Sequence, residues 1–495
     1  MSAPLRALAL DLGSTAVKAG ALGPDGDIRH LVSHPAPAIA VHGEHRESDP
    51  LAYARTAETA LRECAATAGI TFPTLIPLGL CSQRSSFVIW QRQNGQPVTP
   101  LISWQDRRGL RACDALIQSE SRIRQLAGIG LTPYYFGPKL AVILQDHPAW
   151  RQGLACGDLL VGTLDTFLLW RWSGGRHYAT DVSMAARTLL MDLHTRQWST
   201  ELCDLFGIPG AALPEIRASA AMDADLDWGI TVRSSLGDQS AALLASVGDF
   251  SGHALVNLGT GGFVIRPMDA APPAGYLHTL LYQDSAGQCR LAAEGTLNSI
   301  ATALAPYPVA ELDAEALGRD THFCLSEPSG LGAPYFRSDL RLGFSAPVTD
   351  LPPARIGALL IEGIVFRLAR ILEDFDAVRP LERAYLSGGL SELPAIRQGL
   401  AQCLTFDLAR LLQRESSLAG AGALAAGIPA RRPVAMALIE PDATHASLLR
   451  AKYRTWKCWL DDLLARSPGS AAPYTMPLAH IATDIASLSN PAPNT

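Results

Sequence analysis

The alternation of apolar and polar positions begins with LRALALDLGSTAVKAGALGPDG at residues 5–26. An apolar run, a glycine turn, a second apolar run and a PDG turn predict a β-hairpin. The pattern returns at 254–267, where ALVNLGTGGFVIRP gives strand, small-residue turn and strand. The correspondence of DLGST with NLGTG predicts an internal duplication of one supersecondary unit, with lobes beginning near residues 1 and 250. Between the hairpins, periodicity predicts a helix over 50–69, strands over 74–81 and 86–91, helices around 106–127 and 139–146, and a segment at 158–172 compatible with a helix. The second half predicts a strand at 289–293, helices at 294–305 and 352–377, a strand at 383–387 ending in two glycines, and helices at 394–403 and 417–427. Strand, glycine turn and helix recur, a mixed α/β pattern that suits a nucleotide cleft.

From about 466 the composition shifts to Ser, Pro, Ala and Asn, which predicts a flexible tail. The expected organisation is an N-terminal lobe over 1–249, a C-terminal lobe over 250–465 and a tail over 466–495. At 495 residues the chain is too long for one ordinary core, which agrees with two lobes. Its 48% hydrophobic and 18% charged residues exclude global disorder. The balance of 41 Lys and Arg against 47 Asp and Glu gives −6 with no basic run, which argues against nucleic-acid or anionic-membrane partners. Nine scattered cysteines, an odd number without a CxxC pair, read as reduced thiols in a cytoplasmic protein. The opening MSAPLRALALDLG is broken by Asp11 and reads as a strand rather than a signal peptide, and no stretch reaches the ~18 apolar residues of a spanning helix.

The candidate chemistry lies at the turns. DLGSTAVK at 11–18 places a carboxylate, a glycine, two hydroxyls and a cation in a tight hairpin. Turn amides with Ser14 and Thr15 can bind phosphate oxygens, Lys18 can neutralise charge, and Asp11 can hold Mg²⁺ through water. LGTGG at 258–262, with Thr260 and Gly261 at its turn, has the same potential. Taken singly, each is equally a plain hairpin. In SLGDQSAALLAS at 235–246 a loop is expected to enter a helix whose first turn carries Asp238 and Gln239. Asp238 can cap that helix, or serve as the carboxylate that phosphoryl transfer needs to accept a proton, and hold the metal as well. Gly388 and Gly389 end a strand and can let backbone lie flat against a base or ribose. SQRSS at 82–86 and SWQDRRG at 103–109 offer an arginine, an indole and a carboxylate for a sugar, with an Asp106 salt bridge to Arg107 or Arg108 as the structural alternative.

With these segments in this order, the chain resembles the FGGY carbohydrate kinases, and is closest in motif style to the glycerol kinases among them. GTLDTFLLWRWSGGRHYATDVSMAARTLLMDLHTRQW at 162–198 is similar to a long run of that family, with WQDRR before it and GDQSAA, GTGGF, GLGAPY and SGG after it in the family's order. The resemblance implies two actin-like (ribonuclease H-like) lobes around a cleft for ATP, Mg²⁺ and a small sugar or polyol. It implies Asp238 as catalytic base and metal neighbour, with Gln239 beside it on the substrate. Ser14, Thr15, Lys18, Thr260, Gly261, Gly388 and Gly389 would meet the nucleotide; Arg84, Ser85, Trp104, Tyr134 and Phe263 would shape the acceptor pocket. Lys18 replaces the Arg usual in glycerol kinases, and Ser85 stands where they carry a substrate-binding Glu, which favours an acceptor bulkier than glycerol, such as a tetritol or ketopentose. A homodimer is left open, as are two other functions: an actin-like ATP-binding protein coupled to a partner, and a sugar sensor without turnover.

Overall fold

The computed structural model describes residues 4–248, 250–412, 415–428 and 436–466; the expected tail from 467 onward lies outside them. Its first sheet pairs Ala7–Leu12, Ala16–Leu22 and Ile28–Pro35 antiparallel. Leu78–Ser82 and then Thr231–Gly237 lie parallel on the other side of Ala7–Leu12, with Ala224–Asp225 at the edge. The second sheet repeats this plan. His253–Leu258, Gly262–Pro267, Cys289–Leu297 and Leu277–Gln283 are antiparallel, while Arg383–Ser387 and Asp407–Leu411 lie parallel beside His253–Leu258. The duplication expected from DLGST and NLGTG is therefore a duplication of sheet topology, with both motifs at the turn of the first hairpin.

Each hairpin is buried on both faces. Leu8, Leu10 and Leu12 join a core with Tyr53, Ala57 and Leu61 of the helix Pro50–Thr67. The small residues Ala7 and Ala9 leave room on the opposite face for the helix Ser416–Ala425. That helix follows the second-sheet strand Asp407–Leu411 in sequence yet packs on the first sheet. At Gly79 an added Cβ would stand 2.2 Å from the Ala421 carbonyl oxygen, and at Gly420 one would stand 1.9 Å from that of Ala241. Its sequence, SSLAGAGALA, is the composition such close approach requires.

A further five-stranded sheet, including Phe87–Gln91 and Leu159–Thr163, extends the first lobe. Here the expectation for 158–172 needs correction: Leu159–Thr163 is a strand and only Leu164–Trp172 is helical. Nearly every residue of the run is buried, so its hydrophobicity carries no period to separate the two states. The expected helix at 294–305 shrinks to Ile300–Leu304, because the strand from Cys289 continues to Leu297. The helix expected around 106–127 is two, Leu110–Leu116 and Glu120–Ala127, joined by a 3₁₀ turn. In the second lobe the helix Pro353–Val378 forms the core spine, and Phe366 on it meets Tyr453 and Trp456 of Ala443–Ala465, a helix the sequence reading left out. All nine cysteines are free. Among the described residues no helix is long and apolar enough to cross a membrane.

Candidate active site

Register brings the first lobe's chemistry to one edge. Leu12 pairs with Ser82, and Ser82 with Gly237, so three parallel strands end level with one another. The residues just beyond those ends are the 13–15 turn, Gln83 with Arg84, and Asp238. In the second lobe Asn257 pairs with Ser387, which sets the 259–261 turn beside Gly388 and Gly389. Both groups therefore sit at the carboxyl ends of parallel strands, where open α/β sheets bind ligands.

The strand Thr231–Gly237 runs directly into the helix Asp238–Ser246, with no intervening loop. The cap position belongs to Gly237, which has no side chain to cap with, so Asp238 stands one residue inside the helix. Its carboxylate accepts the Gln239 N–H at 2.7 Å and lies 3.8 Å from Arg84 Nε, with 28% of the side chain exposed. Burial raises its pKa, against the opposing pull of the Arg84 and Arg187 guanidinium groups. A second chain of contacts holds this corner. The Gly237 N–H donates to Ser183 Oγ at 2.9 Å, and Ser183 Oγ donates to the buried Asp181 at 3.0 Å. Here the 162–198 run acts on the site: its Asp181 and Ser183 pin the backbone entering Asp238.

Asp11 stands one residue before the end of its strand, opposite Lys18 and Cys81. Oδ1 is buried and lacks a hydrogen-bond partner, and burial, reinforced by the charge of Asp238, raises the pKa to about 7. An unsatisfied buried carboxylate oxygen beside a second carboxylate is a fitting place for a hydrated cation. Among the described residues no group of three or more ligating side chains could hold a metal, so most ligands would come from water and phosphate. Lys18 is not free for phosphate here: its ammonium pairs with Glu415 at 2.8 Å, just before the helix Ser416–Ala425. Ser14 is half-buried and Thr15 exposed at the turn between these strands.

Arg84 occupies space left by Gly237, where an added Cβ would stand 2.7 Å from Arg84 Cδ. Trp104 and Tyr134 present exposed rings, at 36% and 38%. Phe263 is half-buried on Gly262–Pro267, and Gln239 Oε1 accepts from Asn257 Nδ2 at 3.3 Å, tying the first lobe to the second. Ser85 departs from expectation. It is 5% exposed, its hydroxyl donates to the Arg187 carbonyl at 2.9 Å, and it turns no polar atom to an acceptor. Asp106 is likewise buried, accepting from the Arg46 N–H and from Arg108, so the structural alternative holds for it in buried form. At Gly388 φ is +86° and a Cβ would meet the Leu258 carbonyl at 2.4 Å, whereas Gly389 has open space around it. Thr260 is exposed, and a Cβ at Gly261 would meet the Leu297 carbonyl at 2.9 Å.

Two residues were missed. Arg187 donates to Glu294 of the second lobe at 2.9 Å, both buried, leaving Arg187 Nη1 and Glu294 Oε2 without partners. Arg187 lies within the 162–198 run, which was a signal; Glu294, in the middle of an apolar strand, gave only the oddity of its charge.

The model of the FGGY family of carbohydrate kinases, N-terminal domain, matches residues 6–245, and that of the C-terminal domain matches 254–428. A glycerol kinase of Alkalilimnicola ehrlichii is 30% identical, covering 91% of this chain and 96% of its own. An apulose kinase of Pectobacterium atrosepticum is 31% identical over the same shares. Among solved structures, Plasmodium falciparum glycerol kinase with ADP superposes with a TM-score of 0.81 at 21% identity, covering 93% of this chain and 98% of that one. A xyloylose kinase from Brucella ovis gives 0.80 at 20% identity, covering 93% and 99%. The duplicated lobes, the cleft between their strand ends and these relatives agree, and the chain belongs to the FGGY family of carbohydrate kinases.

Proposed function

We propose that this kinase transfers the γ-phosphoryl group of ATP to a hydroxyl of a small sugar or polyol, a ketopentose, a tetritol or a glycerol-like molecule, with Asp238 as general base. The acceptor oxygen bonds to the γ-phosphorus, the bond from that phosphorus to the bridging oxygen of ADP breaks, and the hydroxyl proton passes to the Asp238 carboxylate. The observation that carries the reading is the place of Asp238, level with the phosphate hairpin and 3.8 Å from Arg84, with its pKa raised by burial. Arg84, Trp104 and Tyr134 orient the acceptor; Thr260 and the Gly388–Gly389 step lie against the nucleotide. Asp11, with Asp238 near it, would hold Mg²⁺ through water, and the ion would supply charge neutralisation for the phosphates.

Position 85 supplies no carboxylate, so an acceptor with hydroxyls reaching Arg84 alone is favoured over glycerol. The relatives named glycerol kinase and apulose kinase bracket the panel to test. ADP release measured with purified protein against polyols, tetritols, ketopentoses and ketohexoses should single out one acceptor class. With that acceptor, Asp238→Ala should lower kcat by roughly 10³-fold or more while the protein stays folded. A near-normal rate in that variant would remove the base assignment.

A further inference from the structure

Below the acceptor loops lies a buried cation whose hydrogen bonds go to backbone. Lys139, in the first turn of the helix Phe136–Asp146, is fully buried, and its ammonium donates to the carbonyls of Ser85 and Ser103 at 2.8 Å each. Those carbonyls adjoin Arg84 in one loop and Trp104 in the other. An apolar side chain would fill the same space without desolvating a charge, so the lysine is explained by what it holds rather than by burial.

Ser85 gives that grip a purpose. Its φ of +62° lies in the left-handed region, which a residue with a Cβ occupies only when its surroundings enforce it. Two bonds do so: Lys139 fixes its carbonyl, and its own hydroxyl donates to the Arg187 carbonyl at 2.9 Å. A parallel strut runs alongside. The Trp104 N–H donates to Ser86 Oγ at 2.9 Å, Ser86 Oγ donates to Gln83 Oε1 at 2.9 Å, and Gln83 Nε2 donates to the Tyr53 hydroxyl at 3.1 Å. The Tyr53 hydroxyl in turn reaches the Gly13 carbonyl, in the phosphate hairpin, at 3.3 Å.

We propose that Lys139 and Ser85 are positioning residues for the acceptor: Lys139 clamps the two loops into one unit, and Ser85, held left-handed, aims Arg84 toward Asp238. The inference rests on Arg84 and Trp104 being acceptor contacts. It separates the clamp from the chemistry, because neither side chain presents a polar atom to the cleft.

The test compares kcat and the two KM values in the wild type, Lys139→Met, Ser85→Ala, Ser85→Gly and the double variant Lys139→Met with Ser85→Gly. Lys139→Met should raise the acceptor KM about tenfold or more, with the ATP KM within about twofold. Ser85→Ala and Ser85→Gly lose the same hydroxyl, but glycine adopts the left-handed backbone freely, so Ser85→Ala should raise the acceptor KM more. Glycine at 85 should also recover much of the acceptor affinity that Lys139→Met loses, which a general packing role would not predict. Equal effects of Ala and Gly, absence of recovery, or parallel changes in both KM values would overturn the clamp. Should Lys139→Met fail to fold, the comparison of Ala with Gly at 85 decides alone. A wild type that phosphorylates no acceptor overturns the proposed function and the clamp together; an active wild type with an unaltered Lys139→Met overturns the clamp only.

Discussion

A carboxylate placed where its charge is unwelcome does two things at once, and Asp11 shows both. Its folded pKa of about 7 lies above the ordinary 3.8, so between those values the folded chain binds more protons than the unfolded one. The Asp11 contribution therefore disfavours the fold increasingly as pH rises from about 4 to 7, and stays unfavourable above. Asp11→Asn should raise the melting temperature at pH 8, by an amount corresponding to roughly 1–3 kcal/mol, with little gain at pH 4. The same variant should lose most kinase activity, since the neutral amide brings no charge to a hydrated cation. Differential scanning calorimetry at both pH values checks the first half; a lower melting temperature at pH 8 would contradict it. Asp238 was legible in the sequence only through the order of its neighbours. Lys139, Arg187 and Glu294 were not, because what makes them matter is burial beside partners 36 to 107 positions away.

Among the elements, the two hairpins were legible because each combines an apolar period with a turn signal. The segment at 158–172 was not, since a run buried on all sides has no polar face to report its period. The helix Ser416–Ala425 falls between these cases: its existence was read, but not its place against the first sheet, which depends on glycines whose purpose is invisible until the partner is known. Gly420→Ala would drive a methyl group to 1.9 Å from the Ala241 carbonyl, a backbone atom that cannot step aside. This substitution should destabilise the protein by about 1–3 kcal/mol despite the better helix propensity of alanine. Chemical denaturation measures it, and a neutral or stabilising result would show that the two helices part easily.

At the scale of the whole molecule, the two lobes share a buried apolar seam, in which Leu236 and Ala241 pack with Leu255 and Tyr385, and buried charge lies within the junction as well. The Arg187–Glu294 pair is buried on both sides of that junction. Glu294→Ala would leave an uncompensated guanidinium within it, at about 3–5 kcal/mol. The expected result is a lower melting temperature and a weakened acceptor KM, read by thermal unfolding and steady-state kinetics. Unchanged stability would mean that Arg187 finds another partner.

The Lys18–Glu415 pair joins the first hairpin to the segment that enters the helix Ser416–Ala425. A lysine already matched with a carboxylate can greet a phosphate only by giving that partner up, so on the proposed function Glu415 would be an internal competitor of the nucleotide. It would hold back ATP slightly and, after transfer, help to drive ADP out. Glu415→Gln should accordingly tighten ADP binding by up to about fivefold and slow turnover wherever ADP departure limits it. Calorimetric titration of ADP checks this, with weaker binding as the contrary outcome. The catalytic cycle would then carry its own release mechanism, in which the enzyme reclaims its lysine each time the product leaves.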